Sequence, residues 1–157
     1  MRLPESAIEA LLDTWPVARL ATLTPGGRPH QVPIVFARAQ GLLWSPIDAK
    51  PKLPGDLARV RHLRANPAAS LLLDDYADDW SRLWWLRIDV TARVVEPTHP
   101  DADPDADPAV SAAVAALRAK YPQYAKVAVL REPAVLLELR PVQIASWCAG
   151  REAVPIC

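Results

Sequence analysis

The sequence predicts a mainly β protein of the α+β class, a closed or nearly closed antiparallel barrel of about six strands with peripheral helices. Three observations predict it. The turn Thr24-Pro25-Gly26-Gly27 joins two strand-like runs into a hairpin. Residues 69–74 (ASLLLD) form a continuous apolar run, as in a central strand buried on both faces. In residues 83–95 the even positions Trp84, Leu86, Ile88, Val90, Ala92 and Val94 are all apolar, whereas Arg87, Asp89, Thr91 and Arg93 stand at odd positions. That alternation marks a half-buried antiparallel strand. No βαβ rhythm runs through the chain.

The elements follow in order. Ser6 and Glu9 have the spacing of a capping box. Ile8, Leu11, Leu12 and Trp15 then fall at i, i+3, i+4 and i+7, one apolar helical stripe that Pro16 stops. Residues 17–23 and 28–37 are the arms of the hairpin. His30, Val32, Ile34 and Phe36 share a face of the second arm, and Pro29 and Pro33 place parts of it at an edge or a bulge. Residues 41–46 (GLLWSP) are a third short strand, and 47–54 (IDAKPKLP) a polar loop. Asp56 caps a short helix whose stripe is Leu57, Val60 and Leu63, ended by Asn66-Pro67. Residues 74–82 (DDYADDWSR) form an acidic turn before the long strand. Residues 97–108 (PTHPDADPDADP) are low-complexity and bury no apolar area. Asp107 caps a third helix with Pro108 at its first position; Val110, Val114, Leu117 and Tyr121 face one way and Pro122 ends it. Residues 127–130 and 134–139 read as further strands, the latter continuing through 144–147.

Composition narrows the function. The 157 residues fit one domain, 1–157, and 51% are apolar, enough for a core. Eighteen basic and 18 acidic side chains balance to zero net charge. A nucleic-acid partner is not expected, because displacing counterions needs a basic excess. A membrane partner is not expected either: no apolar run approaches the roughly 18 residues of a span. The opening MRLPESAIEALLDTWP carries Glu5, Glu9 and Asp13 and does not read as a signal peptide. Cys148 and Cys157 are too few for a disulfide framework, so a reducing, cytoplasmic location is expected.

Self-contained catalysis is not evident. His30, His62 and His99 show no metal-ligand spacing with Cys, Asp or Glu, and neither cysteine carries a nucleophile signature. No metal is expected, and Asp74, Asp75, Asp78 and Asp79 read as a solvated turn. There is no Walker loop and no GxGxxG. If the chain is an enzyme, its chemistry belongs to a bound cofactor, and no side chain is assigned as catalytic. Only four of the 18 basic residues are lysines, and two of them bracket Pro51. Lys50-Pro51-Lys52, followed by a helix bearing Arg59 and Arg61, reads either as a phosphate site or as a basic surface loop. Trp84 belongs to the apolar face of its strand. Trp85 points the other way and needs a partner subunit, a flat ligand or an overlying loop to cover it. His30 reads more simply as a strand-face residue than as an acid or base.

The chain resembles the pyridoxamine-5′-phosphate-oxidase-like split-barrel superfamily, in its actinobacterial flavin/deazaflavin oxidoreductase branch. The resemblance spans roughly residues 8–147. It rests on ARLATLTPGGRPHQVPIVF, LLWSPIDAKPK, HLRANPAASLLLDDYADDWSRLWWLRIDVTARVVEP and AVLLELRPVQIASW. It implies a six-stranded split barrel of the FMN-binding type, and a homodimer with two cofactor sites at the subunit interface. The cofactor ring would lie along the second and third strands, near His30, Val32, Pro33, Trp44 and Ser45. Lys50, Lys52, Arg59 and Arg61 are the phosphate candidates, and Trp80 or Trp85 would reach across from the other subunit. The cofactor implied is the deazaflavin coenzyme F420, with FMN as the alternative. The activity implied is hydride transfer to an unsaturated small molecule; a non-catalytic flavin- or haem-type binding module is the other reading.

Overall fold

The computed structural model describes residues 1–48, 57–97, 107–150 and 153–154. In chain order the elements are α1 (Glu5–Thr14), β1 (Ala18–Leu23), β2 (Pro29–Ile34), β3 (Ala37–Ala39), β4 (Leu42–Pro46), α2 (Ala58–Ala65), β5 (Ala68–Asp75), β6 (Trp84–Val95), α3 (Pro108–Lys120) and β7 (Leu136–Cys148). The strands form one antiparallel sheet in the order β2-β1-β5-β6-β7-β4-β3. The α+β class and antiparallel architecture hold, with seven strands instead of six.

The extra strand comes from a break in the second hairpin arm, expected as one strand over 28–37. The chain leaves the ladder at Val35 and Phe36. The hydroxyl of Tyr121 accepts from the Phe36 N–H at 3.0 Å and lies 2.7 Å from the Phe36 carbonyl, so a side chain satisfies both groups. The hairpin turn itself is as expected. Gly27 has φ +76°, a left-handed conformation that favours glycine, and Arg28 N–H donates to Thr24 Oγ1 at 3.0 Å.

Residues 127–130 are not a strand. Val129 and Leu130 are buried there, and the segment meets the end of β4 through the Arg131 N–H donating to the Ile47 carbonyl at 3.0 Å. Residues 134–139 and their continuation to 147 fall largely in β7, whose 13 residues make it the longest strand. A register shift opposite Asp89 and Val90 lets Pro141 sit within it.

β6 alternates as the sequence predicts: Trp84, Leu86, Ile88, Val90 and Ala92 are buried, and Val94 is half-buried. β5 is central, but only Leu71 and Leu73 are sealed; Leu72 is half-buried between Arg19 and Arg87 on the outer face.

Two apolar cores result. One lies under α1 and α2, built on Leu11, Leu20, Leu71, Trp84 and Leu86; the other lies under α3 and includes Trp44, Leu117, Tyr121 and Leu136. α3 is capped as expected, Asp107 Oδ1 accepting from the Ala109 N–H at 2.9 Å. The capping box at α1 is not formed. Pro4 is the N-cap, Ser6 falls inside the helix, and the start is fixed by buried Leu3, whose N–H donates to Ser146 Oγ at 3.2 Å. The expected cap Asp56 lies outside the described residues, and Leu57 occupies that position.

Candidate cofactor site

α2 organises the site. Val60 and Leu63 anchor it in the core, and Arg59 and His62, three residues apart, lie on one side of the helix one above the other. Each meets a different group.

At the Arg59 end stands Asp48, just past β4 and only 3% exposed. The Tyr124 hydroxyl donates to Asp48 Oδ2 at 3.2 Å. Burial, and then the carboxylate beside it, push that phenol well above its usual range. Arg131 is the second cation of this cluster. Burial holds the Arg59 guanidinium below its ordinary range, Asp48 opposes that, and the charge of Arg131 adds to it. Among the described residues, Arg59 therefore feels both a buried carboxylate and a second guanidinium. Nε of Arg59 is buried and has no hydrogen-bond partner among the described residues. A buried donor left in this way costs about 1–3 kcal/mol, which an anion accepting from it would recover.

At the other end, His62 is 6% exposed and meets β1 and β2. Its Nδ1 lies 3.0 Å from Oγ1 of buried Thr22. The His30 ring, on the edge strand β2, stands edge-to-face to it with ring centres 5.0 Å apart and planes at 82°. Burial first, then the charges of His30 and Arg61, hold the His62 imidazole below its ordinary pKa. Nδ1 of half-buried His30 is enclosed and has no partner among the described residues.

The remaining expected site residues are scattered. Val32 shares the face of His30, but Pro33 is exposed on the opposite face, so one flat ring cannot lie on both side chains. Trp44 and Ser45 are corrections. Both are fully buried, Trp44 donating from Nε1 to the Ala39 carbonyl at 3.2 Å and Ser45 Oγ to the Val35 carbonyl at 2.8 Å. α3 covers the Trp44 face of β4, and Ser45 points to the opposite face, that of core residue Leu43; both are sealed from the surface. Arg61 is exposed on α2. Lys50 and Lys52 lie outside the described residues, on the stretch of sequence between Asp48 and Leu57.

Trp80 is 78% exposed in the short 3-10 turn before β6. Trp85 is half-buried on the outer face, paired across β6 and β7 with Trp147, itself 37% exposed. Trp85 pairs with Asp74 of β5 while Thr22 and His30 neighbour the far end of that strand, a separation of about 15 Å at 3.3 Å per residue. The tryptophans and the α2 cluster of one chain are therefore apart. A cavity of about 460 Å³ opens on the outer face, lined by apolar Ala21, Leu23, Pro29 and Val142 among others. Among the described residues its lining holds one carboxylate, Asp89, and no cation, so a phosphate has no cationic partner there.

Arg131, Asp48, Tyr124 and Thr22 were not singled out in the sequence, and His62 was noted only as a histidine. Arg59 and Arg131 are 72 positions apart, and no spacing pattern signals the pair. Among the described residues no group of three or more His, Cys, Asp or Glu could hold a metal ion. No described helix is long and apolar enough to cross a membrane.

The sequence model described as pyridoxamine 5′-phosphate oxidase matches residues 4–148. No curated protein matches the sequence. Among solved structures, the chain is similar to a conserved hypothetical protein of Mycobacterium tuberculosis, with TM-score 0.71 and 21% identity over 98% of this chain and 89% of that one. It is similar to HutZ, the haem storage protein of Vibrio cholerae, with TM-score 0.65 and 20% identity over 94% and 95%. It is also similar to an F420 reductase, with TM-score 0.58 and 22% identity over 91% and 98%. At these identities the likeness establishes the fold.

Proposed function

The chain belongs to the pyridoxamine 5′-phosphate oxidase family, and from that premise we propose that it is a cytoplasmic, homodimeric oxidoreductase that passes hydride from reduced coenzyme F420 to an unsaturated small molecule. The observation that carries the reading is the cationic cluster at the start of α2. Arg59 presents a buried Nε without a partner among the described residues, with the Asp48 carboxylate and the Arg131 charge both close enough to act on it. These groups suit a phosphate. Lys50 and Lys52 precede Arg59 by less than ten residues and add two more cations to the same stretch of sequence.

When bound, a deazaflavin supplies a hydride, and a flavin one or two electrons. The protein's part is positioning. Arg59 and Arg131 would hold the phosphate arm, with Asp48 and the Tyr124 hydroxyl fixing where the guanidiniums stand. The ring would then run along β2 beside Val32, on an apolar surface that excludes water. No side chain need form a covalent bond. The apolar outer face, with Leu72, Trp85 and Trp147, supports a second copy of the chain as its cover.

FMN is the second reading, because it carries the same two recognition elements, a phosphate and a tricyclic ring. The test is to titrate the purified protein with F420 and with FMN and follow fluorescence. F420 is expected to bind more tightly, and Lys50→Ala and Lys52→Ala each to lose about 1.5–3 kcal/mol for a charged hydrogen bond removed. Tight FMN binding with no F420 binding would overturn the first reading. Bound cofactor without turnover of any of a panel of unsaturated acceptors would favour a non-catalytic binding module.

A further inference from the structure

The cofactor reading sets His30 near the ring but gives no role to its contact with His62. The two rings come from different elements, β2 and α2, and are brought together by the fold rather than by sequence spacing. Their ring centres stand 5.0 Å apart. A first-row transition metal about 2.0–2.1 Å from a ligating imidazole nitrogen lies about 3.2 Å from that ring's centre, so two cis ligands at about 90–109° put their ring centres about 4.5–5.2 Å apart. The observed separation falls inside that window.

Edge-to-face packing has the same spacing, and two further features point to a metal. Nδ1 of His30 is enclosed with no partner among the described residues, an orphaned lone pair or N–H that mere stacking would not satisfy. Thr22 Oγ1, buried and 3.0 Å from His62 Nδ1, is placed to accept from that nitrogen. A ligating histidine typically donates its other N–H to an oxygen, which fixes its tautomer and turns its second nitrogen to the metal.

We propose that His30 Nδ1 and His62 Nε2 form a two-imidazole site for a divalent transition cation of the nickel, copper or zinc type, with Thr22 holding the His62 ring. Two protein ligands leave the other positions to water or to a small-molecule donor. Imidazole pairs of this kind favour copper and nickel over magnesium or calcium, which prefer oxygen. Arg61, next to His62 on α2, is a positive charge that opposes the cation. The inference does not depend on which cofactor the Arg59 cluster holds.

The test uses the cofactor-free full chain. Nickel is titrated calorimetrically, and copper-loaded protein is read by electron paramagnetic resonance, where nitrogen hyperfine structure counts imidazole ligands. One equivalent with two nitrogen ligands is expected. His30→Ala, a change at a half-buried edge position, is expected to weaken binding at least tenfold, and His62→Gln to do the same. Arg61→Gln is expected to tighten it severalfold. His99→Ala and Cys157→Ser, which remove the other candidate donors outside the described residues, are expected to leave it unchanged. Absence of a one-equivalent site, binding that survives His30→Ala, or binding lost in His99→Ala overturns the proposal.

Discussion

Replacing Tyr121 by Phe tests how the sheet is broken between β2 and β3. The Tyr121 hydroxyl accepts from the Phe36 N–H at 3.0 Å and lies 2.7 Å from the Phe36 carbonyl and 2.9 Å from the Pro16 carbonyl. It has one proton, so it serves one of the two carbonyls at a time. Phe36 is fully buried, whereas Pro16 is exposed and its carbonyl has water as an alternative. Removing the oxygen therefore orphans two buried groups, the N–H and C=O of Phe36. At about 1–3 kcal/mol for each buried group left unpaired, the expected loss is about 2–4 kcal/mol, because the smaller ring lets the backbone relax in part. For a chain of this length that is a fall of about 5–15 °C in Tm. Urea unfolding is the assay, with the midpoint shifted and the slope unchanged. Burial pushes the phenol up to about 12 from its usual 10. The advantage of the wild type over the variant is thus complete below pH 10 and is lost as pH rises through about 12. A loss under about 0.5 kcal/mol, or an advantage flat across that pH window, refutes the claim that Tyr121 holds the break.

Lys120 offers a second pH signature. Its Nζ donates to the Leu12 carbonyl at 2.9 Å and sits 3.7 Å from the centre of the Phe36 ring, and burial lowers its pKa to about 8. Folding disfavours its charge, so the stability of wild type relative to Lys120→Met is expected to rise as pH increases from about 8 to 10.5, and a flat difference in chemical-denaturation curves would count against it. Arg59→Gln is expected to weaken binding of the phosphate-bearing cofactor roughly ten- to hundredfold, the equivalent of about 1.5–3 kcal/mol, read by fluorescence titration with circular dichroism confirming the fold. Trp147→Asp places a charge beside Trp85 on the outer face, and sedimentation is expected to shift the proposed dimer toward monomer without loss of secondary structure; an unchanged sedimentation coefficient would exclude this face as the interface.

Local physics made much of the fold legible. The alternation from Trp84 to Ala92, the buried stripe of α3 and the Asp107 cap each depend on neighbours within a few residues, and each is found where its pattern lies. The break at Val35 and Phe36 was not legible, because its cause is a hydroxyl 85 positions away. Trp44 failed for a related reason. Alternation tells which residues share a face of a strand, but not that α3 will cover that face. The site divides in the same way. Arg59 could be chosen from the basic run that contains it, whereas Asp48, Arg131 and Tyr124 join it only through tertiary packing. His30 and His62 carry no mutual spacing signal, and neither would be paired without the contact between α2 and the hairpin.

The two prolines of β2 have a consequence for assembly. β2 is an edge strand, and its even-numbered residues point their backbone groups at β1, the register being set by the Thr24 N–H donating to the Arg28 carbonyl at 2.9 Å. The outward-facing positions are therefore Pro29, Gln31 and Pro33. Two of these three have no N–H, so the rim presents a single amide donor where an ordinary edge would present three. A foreign strand laid along this rim would find almost nothing to zip against, and fibre growth by sheet extension is blocked on that side. Copies of this chain that associate near the hairpin must meet through side chains on a face, where the match is specific and the assembly can close.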